Sequence, residues 1–259
     1  MGGVFGTHQA EWWVPKTPPT LRNTNMNHEM MSVEQLAVFL HRDAREVHKW
    51  ASKGNIPVHK VRGEYRFHPA EIHHWLEGQL PGYTELELSN LERGAAGHGP
   101  HELPLLTGLM SPATMAVPLP ATTKASVLKE LVIAAEQSWH VYDPAAILDA
   151  IKQREEVSST ALETGVAIPH PHRPLANALG ESLIAFGRTA SAIPFGDPRG
   201  GLTDLFFLVC CRDAKTHVQV LARLARLMLL PGFLDNLRGA ETPAAAYQVI
   251  ETAEAELLV

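Results

Sequence analysis

The chain has 259 residues, 45% of them apolar, and a formal net charge of −6 at pH 7. This length fits one large domain or two smaller ones, and the net negative charge does not mark a nucleic-acid binder. The sequence shows no run of about 18 apolar residues, and no ordered n-region, apolar stretch and cleavage site at its start. We therefore expect a cytoplasmic protein without a membrane span.

The composition divides the chain into four parts. Residues 1–30 combine tryptophans, prolines and asparagines without a helical or strand period, so a disordered arm is expected there. Residues 31–80 and 104–259 carry periodic apolar patterns and are the two expected domains. Between them, proline and glycine punctuate residues 81–103, which predicts a linker with at most a short acidic helix over 83–93.

Two short helices joined by a tight turn are predicted at the start of the first domain. Ser32 followed by Gln35 is a capping-box arrangement, and the apolar residues after it fall on one helical face up to about Leu40. Asp43 with Glu46 repeats the arrangement, and the second helix should end near residue 54, a glycine. Two helices in this order form a helix-turn-helix.

A β-hairpin and a third helix are predicted next. Residues 58–67 alternate around Arg62-Gly63-Glu64, and Pro69 opens a helix with an apolar face. The order of helix, helix, small wing and helix over residues 32–80 resembles the excisionase and MerR-type winged-helix DNA-binding domains. The resemblance implies a small, mainly α-helical domain that binds DNA.

Basic side chains follow the second predicted helix and the predicted wing. They could neutralise phosphates, and Arg45 or His48 could reach base edges in a major groove. The alternative is that they form an ordinary solvated surface, since basic residues barely outnumber acidic ones in this domain. The residues expected to contact DNA are Arg42, Arg45, His48, Lys49, Lys53, Lys60, Arg62 and Arg66.

The second domain alternates helical and strand-like runs, which predicts an α/β domain with a mixed sheet flanked by helices. Helices are expected over residues 126–136, 145–154, 218–230 and 243–254, and strands over 183–186 and 205–211. A further buried strand is expected from Gly165 to Ile168, and Pro169 should end it. His170 therefore lies at a strand end, where a side chain can act from a rigid backbone.

The surroundings of His170 resemble the enzyme IIA domains of the fructose and nitrogen-regulatory branch of the bacterial phosphotransferase system. The matching residues are Arg154-Glu155-Glu156, Ser159-Thr160, the glycine-led run that ends in Ile168-Pro169-His170, and Lys215-Thr216-His217 at the head of an apolar helix. All of them stand at the family's spacing, and the resemblance extends from about residue 105 to the C-terminus.

This resemblance implies that His170 accepts a phosphoryl group from the phosphohistidine of a small HPr-type carrier protein. His217 would donate a hydrogen bond to a phosphoryl oxygen, Arg154 would balance its charge, and Thr160 is a weaker candidate for an oxygen contact. A neutral imidazole with an ordinary pKa of about 6.5 is a suitable nucleophile. The domain would be a phosphocarrier component without a cofactor rather than a turnover enzyme.

The sequence departs from the family directly after His170. The family has a small residue and then a basic one, whereas Pro171 and His172 stand here and Arg173 follows one place late. Proline removes a backbone donor and fixes the loop. A degenerate domain that keeps the fold but only senses a ligand or partner is therefore an alternative.

Two overall functions and one alternative of a different class follow. The first is a regulator, expected by analogy to be a homodimer on double-stranded DNA, whose DNA-binding head is controlled by phosphorylation of His170. The second is a sugar or nitrogen phosphocarrier that uses the first domain for protein interactions. The third is a metal sensor. Adjacent cysteines on a strand cannot easily supply two ligands to one zinc ion, and the simpler interpretation is that they are two small buried residues. Its ligands would be His170, His172, Cys210, Cys211 and His217.

Overall fold

The computed structural model describes residues 30–96 and 105–258. The expected disordered arm, residues 1–30, lies outside this range except for Met30, and so does the end of the expected linker. Within the described ranges no single helix is long and apolar enough to cross a membrane, and one bent pair of helices, 214–229 with 233–239, reaches that length and composition together.

The first domain has the predicted order of elements. Its helices are α1 (Val33–Leu40), α2 (Ala44–Lys53) and α3 (Pro69–Gln79), and its hairpin pairs β1 (His59–Val61) with β2 (Glu64–Arg66). Arg62 and Gly63 both have positive φ, as the tight hairpin turn requires. The predicted winged helix-turn-helix is therefore confirmed as a fold.

The helix caps follow the sequence signals with one exception. The Ser32 hydroxyl accepts the N–H of Gln35 and the Gln35 side chain accepts the N–H of Ser32, which completes the predicted capping box. Asp43 caps α2 by accepting the N–H of Arg45, but no capping box forms with Glu46. That second prediction was wrong because Glu46 turns its carboxylate toward Arg42, 4.0 Å away.

The stretch predicted as a linker contributes a packed helix, α4 (Glu85–Ala96). Leu88 and Leu91 are buried, and Glu92 is buried against Arg223 of the second domain. These contacts are made with the other domain. The local composition of residues 81–103 therefore gives little indication that the segment packs as a helix. The described part of this segment therefore belongs to the folded body.

The second domain is an α/β fold built on a four-stranded mixed sheet. The strands β3 (Met115–Leu119), β4 (Val166–Ala167), β5 (Leu183–Ile193) and β6 (Thr203–Cys210) lie in the order β3-β5-β6-β4. β5 and β6 are antiparallel, and both outer pairs are parallel. The flanking helices are α5 (Lys124–Glu136), α6 (Pro144–Val157), α7 (Ala214–Leu229), α8 (Phe233–Gly239) and α9 (Pro243–Leu257).

The hydrophobic core of the first domain continues into that of the second. One cluster of buried side chains runs from α1 and α3 through α4 to α7, α8, α9 and one face of the sheet, while a second cluster lies under α5 and α6. Burial of apolar surface stabilises such contacts by roughly 25 cal/mol per Å². The two domains therefore share an apolar interface, and α3 is held against the second domain beside α7.

Candidate functional site

His170 lies at the end of the predicted strand, in a rigid setting. β4 pairs with β6, and the carbonyl of Pro169 accepts the N–H of Val209 at 2.9 Å, which extends the pairing to the residue before His170. Gly165 enters the strand with φ +81°, and a Cβ there would come within 2.8 Å of the Arg238 guanidinium. Glycine is therefore required at this entry, and His170 is only 3% exposed.

The backbone selects the tautomer of His170. Its Nδ1 lies 2.7 Å from the carbonyl oxygen of Ile168, and a carbonyl oxygen can only accept, so Nδ1 carries the proton. In the neutral ring the lone pair is then on Nε2. This atom is buried and has no hydrogen bond of good geometry among the described residues. Nε2 is therefore the nitrogen that faces the other residues of the site, which the sequence alone did not identify.

His217 and Arg154 lie beside His170, as their spacing predicts. His217 is in the first turn of α7, which Asp213 caps, and its ring centroid is 4.9 Å from that of His170. Burial lowers the pKa of His217, so its ring is neutral near pH 7. Arg154 lies in the last turn of α6, is 4% exposed, and donates to the carbonyl of Ser158 at 2.8 Å.

A fourth residue, Glu77, comes from the first domain and lies among these three. Its Oε1 is 3.1 Å from Nε2 of His170 and 3.5 Å from Nε2 of His217, and its Oε2 accepts from Arg154 at 2.9 Å. Burial would raise the pKa of Glu77, but the contacts with both histidines outweigh it and hold the pKa well below its usual range. The site therefore already binds one ionised carboxylate.

Thr160 is engaged by Glu155 in this structure. Its hydroxyl and its N–H both donate to the carboxylate of Glu155, which also pairs with Lys124 at 2.8 Å. These contacts fix the loop whose Ser158 carbonyl accepts from Arg154. An oxygen contact from Thr160 remains a prediction, while Glu155 orders the loop that positions Arg154.

The departure after His170 is visible in the structure. Pro171 is buried and offers no N–H, and His172 is exposed, with its ring 6.0 Å from that of His74 on α3. Burial lowers the pKa of His172. His172 thus lies where the first domain covers the second and contributes to the interface as well as to the loop.

Of the residues named for the metal-sensor alternative, His170 and His217 come together, and the two cysteines do not join them in the group described below. Cys210 and Cys211 are buried, and burial raises the pKa of Cys210 to about 12, which disfavours the thiolate that a metal needs. Among the described residues, the group close enough to share an ion is Glu77, His170 and His217, with ligand atoms within 4.8 Å. The Arg154 guanidinium already neutralises that carboxylate, so the arrangement suits an anion better than a cation.

A cavity of about 730 Å³ extends from this cluster between the two domains. Glu77, Arg154 and His170 line its polar end, and Tyr83 and Met228 are among the apolar residues further along. The space therefore lies next to the covered histidine.

Most of the side chains predicted to contact DNA face solvent. Arg45, His48, Lys49 and Lys53 are exposed on α2, and Lys60 and Arg62 are exposed on the wing. Arg66 is partly buried and pairs with Glu64 at 2.5 Å. Arg42 donates to Glu87 of α4 at 2.8 Å and lies over the rings of Trp50 and Tyr83, so it joins the first domain to α4 here.

Acid is expected to destabilise the protein through His73, which lies on α3 near Glu77. Burial lowers the pKa of His73 to about 4. The nearby His217 and His172 also lower this pKa, whereas Glu77 raises it. The unfolded chain binds a proton below about pH 6.5 and the folded one does not, so stability falls between about pH 6.5 and pH 4. At pH 5 the loss is about 2 kcal/mol.

Urea unfolding of the wild type and of His73→Gln at pH 7.5 and pH 5 measures this effect. The variant should lose less stability on acidification because it has no ionisable group at this position. An equal loss in both proteins would assign the acid sensitivity to other groups.

The fold and the site define a helix-turn-helix protein with a second, α/β domain that carries a buried cluster of two histidines and an arginine. Residues 109–253 match the family model described as "Phosphoenolpyruvate-dependent sugar phosphotransferase system, EIIA 2", and the chain belongs to this family. Residues 30–80 match the model described as "Helix-turn-helix domain". Both family resemblances seen in the sequence are thereby confirmed.

Known relatives match the second domain. A nitrogen regulatory protein of Bradyrhizobium diazoefficiens is 31% identical over 148 residues, which are 56% of this chain and 94% of the relative. A fructose-specific EIIABC component of the phosphotransferase system of Bacillus subtilis is 28% identical over 147 residues, and the match spans 56% of this chain but only 23% of that protein. The crystal structure of the nitrogen regulatory protein IIA-Ntr from Neisseria meningitidis has the same fold, with a TM-score of 0.51 and 22% identity over 56% of this chain and 98% of that one.

Proposed function

We propose that this protein is a transcriptional regulator whose DNA-binding domain is controlled by phosphorylation of His170 by an HPr-type carrier. The observation that carries the proposal is the contact of His170 Nδ1 with the Ile168 carbonyl, which directs Nε2 into a cluster with Glu77, Arg154 and His217. A phosphoryl group on Nε2 would meet a guanidinium and a second imidazole. Such preorganised donors are what phosphoryl transfer requires of a protein.

The transfer step needs no cofactor. The lone pair of His170 Nε2 attacks the phosphorus of the carrier's phosphohistidine, and the N–P bond of the carrier breaks. The carrier's imidazole keeps that electron pair and takes a proton from solvent. The His170 ring keeps its Nδ1 proton on the Ile168 carbonyl, so its positive charge offsets part of the charge of the phosphoryl group.

The DNA-binding part of the proposal rests on the six exposed cationic or imidazole side chains of α2 and the wing. Phosphate contacts made by such residues release counterions, so log K should fall with log salt by about 0.9 per contact. By analogy with other helix-turn-helix proteins, a homodimer would place two α2 helices one DNA turn apart. DNA and the carrier are both cytoplasmic, so the proposal includes a cytoplasmic location.

A phosphocarrier that uses its first domain only for protein interactions is the second candidate. Two observations favour it: Arg42 is engaged by Glu87 rather than free for DNA, and the basic side chain of Arg66 is paired with Glu64. In this case the chemistry at His170 would be the same, but no DNA would be bound.

Two measurements test the proposal. Incubation with labelled phosphoenolpyruvate, enzyme I and an HPr-type carrier should give one acid-labile phosphoryl group per chain, and NMR should place it on Nε2 of His170. Binding to DNA from upstream of the protein's own reading frame should depend on salt and change on phosphorylation. Labelling without any salt-sensitive DNA binding would leave the phosphocarrier candidate, and no labelling would refute the phosphoryl chemistry.

A further inference from the structure

We propose that Glu77 is a built-in competitor of the phosphoryl group, so that phosphorylation of His170 displaces α3 from the second domain. This inference rests on the proposed function, because it assigns the means by which the phosphoryl site acts on the first domain. The inference goes beyond the proposed function by naming one carboxylate of the first domain as the group that the phosphoryl group replaces.

The contacts of Glu77 are those that a phosphoryl group on His170 would need. One carboxylate oxygen lies 3.1 Å from the nucleophilic Nε2, and the other accepts from Arg154 at 2.9 Å. His217 approaches the first oxygen at 3.5 Å, and His74 lies 3.7 Å from the second. A phosphorus atom bonded to Nε2, with its three oxygens, cannot occupy this volume together with the carboxylate.

Electrostatic repulsion, like the lack of space, disfavours Glu77 in the site once His170 is phosphorylated. Arg154 now balances the single negative charge of Glu77, whose side chain is only 11% exposed. A phosphoryl group brings close to two negative charges, and it would take over the Arg154 guanidinium. Glu77 would then be an ionised carboxylate next to a dianion, without its principal cation, and its position would be unfavourable.

The carrier protein faces the same competition before the transfer occurs. His170 is 3% exposed and His217 is 7% exposed, so a phosphohistidine on another protein cannot meet Nε2 while α3 stays in place. The donor-accessible state is therefore one in which Glu77 and α3 have moved. The apparent transfer rate is then reduced by the fraction of molecules in which the site is covered.

The release is confined to part of the first domain. The buried pairs that join α4 to α7, between Glu92 and Arg223 or Arg226, do not include the phosphoryl site. The chain between α3 and α4 turns at Leu80–Gly82, where Pro81 precedes a glycine. Because the DNA-facing side chains of α2 are already exposed, displacement of α3 changes the placement of the domain rather than the exposure of those residues.

Glu77→Gln in the full chain tests the competition, because glutamine keeps the shape and removes the charge. Glu71→Gln is the matched control on the same helix, since Glu71 is exposed and pairs with His59 instead. The initial rate of transfer from the phosphorylated carrier should rise about tenfold in Glu77→Gln and stay within about twofold in the control. Amides of α3 should exchange faster in Glu77→Gln, and also in the phosphorylated wild type.

Binding of inorganic phosphate, followed through the NMR signals of the histidine rings, separates this inference from the proposed function. Glu77→Gln should bind phosphate about tenfold more tightly than the wild type, because the internal competitor is weakened. Equal transfer rates with unchanged α3 exchange would overturn the competition and leave the proposed function standing. If no variant accepts a phosphoryl group, the proposed function fails, and equal phosphate affinities would then overturn the competition as well.

Discussion

Replacing His170 with alanine should abolish phosphoryl acceptance from an HPr-type carrier, with a loss of about 100-fold or more in labelling. Nε2 of His170 is the ring nitrogen that faces the cluster, and Glu77 links it to the guanidinium of Arg154. Glu77 is a weak nucleophile held by Arg154, and the proposed function gives His217 the role of a donor to a phosphoryl oxygen rather than that of the acceptor. Labelled phosphoenolpyruvate with enzyme I and the carrier gives the measurement.

The matched control is His172→Ala, two positions away. His172 is exposed and contacts His74 rather than the cluster, so its loss should leave labelling within about twofold. Acid-labile label that persists in His170→Ala, or disappears in His172→Ala alone, would move the acceptor to another histidine. Circular dichroism of both variants distinguishes loss of the nucleophile from loss of the fold.

The elements that could be predicted from the sequence are those with local signals. Ser32, Asp43 and Asp143 each mark the start of a helix by a side chain that accepts a nearby N–H, and all three cap the helices expected. β3 and α8 had no comparable signal: β3 contains Pro118, which usually argues against a strand, and α8 has only seven residues. Their existence depends on the sheet and the helices around them.

The residues of the candidate site likewise fall into those that the sequence could predict and one that it could not. His170, Arg154 and His217 lie in one domain at fixed positions relative to β4, α6 and α7, so a family resemblance was enough to bring them together. Glu77 belongs to the first domain. From sequence it is only one of several acidic residues in a domain where acidic and basic residues nearly balance. Only the packing of α3 against α7 brings it to His170, and nothing in its own neighbourhood indicates that contact.

The same reasoning applies to Arg42 and to the expected linker. From sequence, Arg42 is one more cation near the recognition helix, but Glu87 of α4 accepts from it at 2.8 Å. α4 itself is fixed by Leu88 and Leu91 and by the buried pair of Glu92 with Arg223. An ion pair between residues 131 positions apart has no periodicity to detect, so the connection between the domains is a tertiary property.

Replacing Arg223 with alanine should destabilise the protein by about 3–5 kcal/mol, because the buried carboxylate of Glu254 loses its cation and that of Glu92 keeps only Arg226. Arg223 is 2% exposed and joins three helices: its Nε donates to Glu92 of α4 at 2.6 Å, and its Nη1 donates to Glu254 of α9 at 3.0 Å. Glu254 also accepts the N–H of Leu106 at 2.6 Å, so the pair orders the start of the second domain.

Urea unfolding followed by circular dichroism measures this loss, and Arg199→Ala is the matched control. Arg199 pairs with Glu163 at 2.6 Å, but the two side chains are 75% and 59% exposed, so its removal should cost no more than about 1 kcal/mol. A loss below about 1 kcal/mol in Arg223→Ala would show that water at Glu254, together with Arg226 at Glu92, replaces the guanidinium. With the expected loss, exchange of α4 amides should rise before the sheet unfolds, because α4 would lose one of its two buried ion-pair partners on α7 while the pairing of β5 with β6 is unchanged.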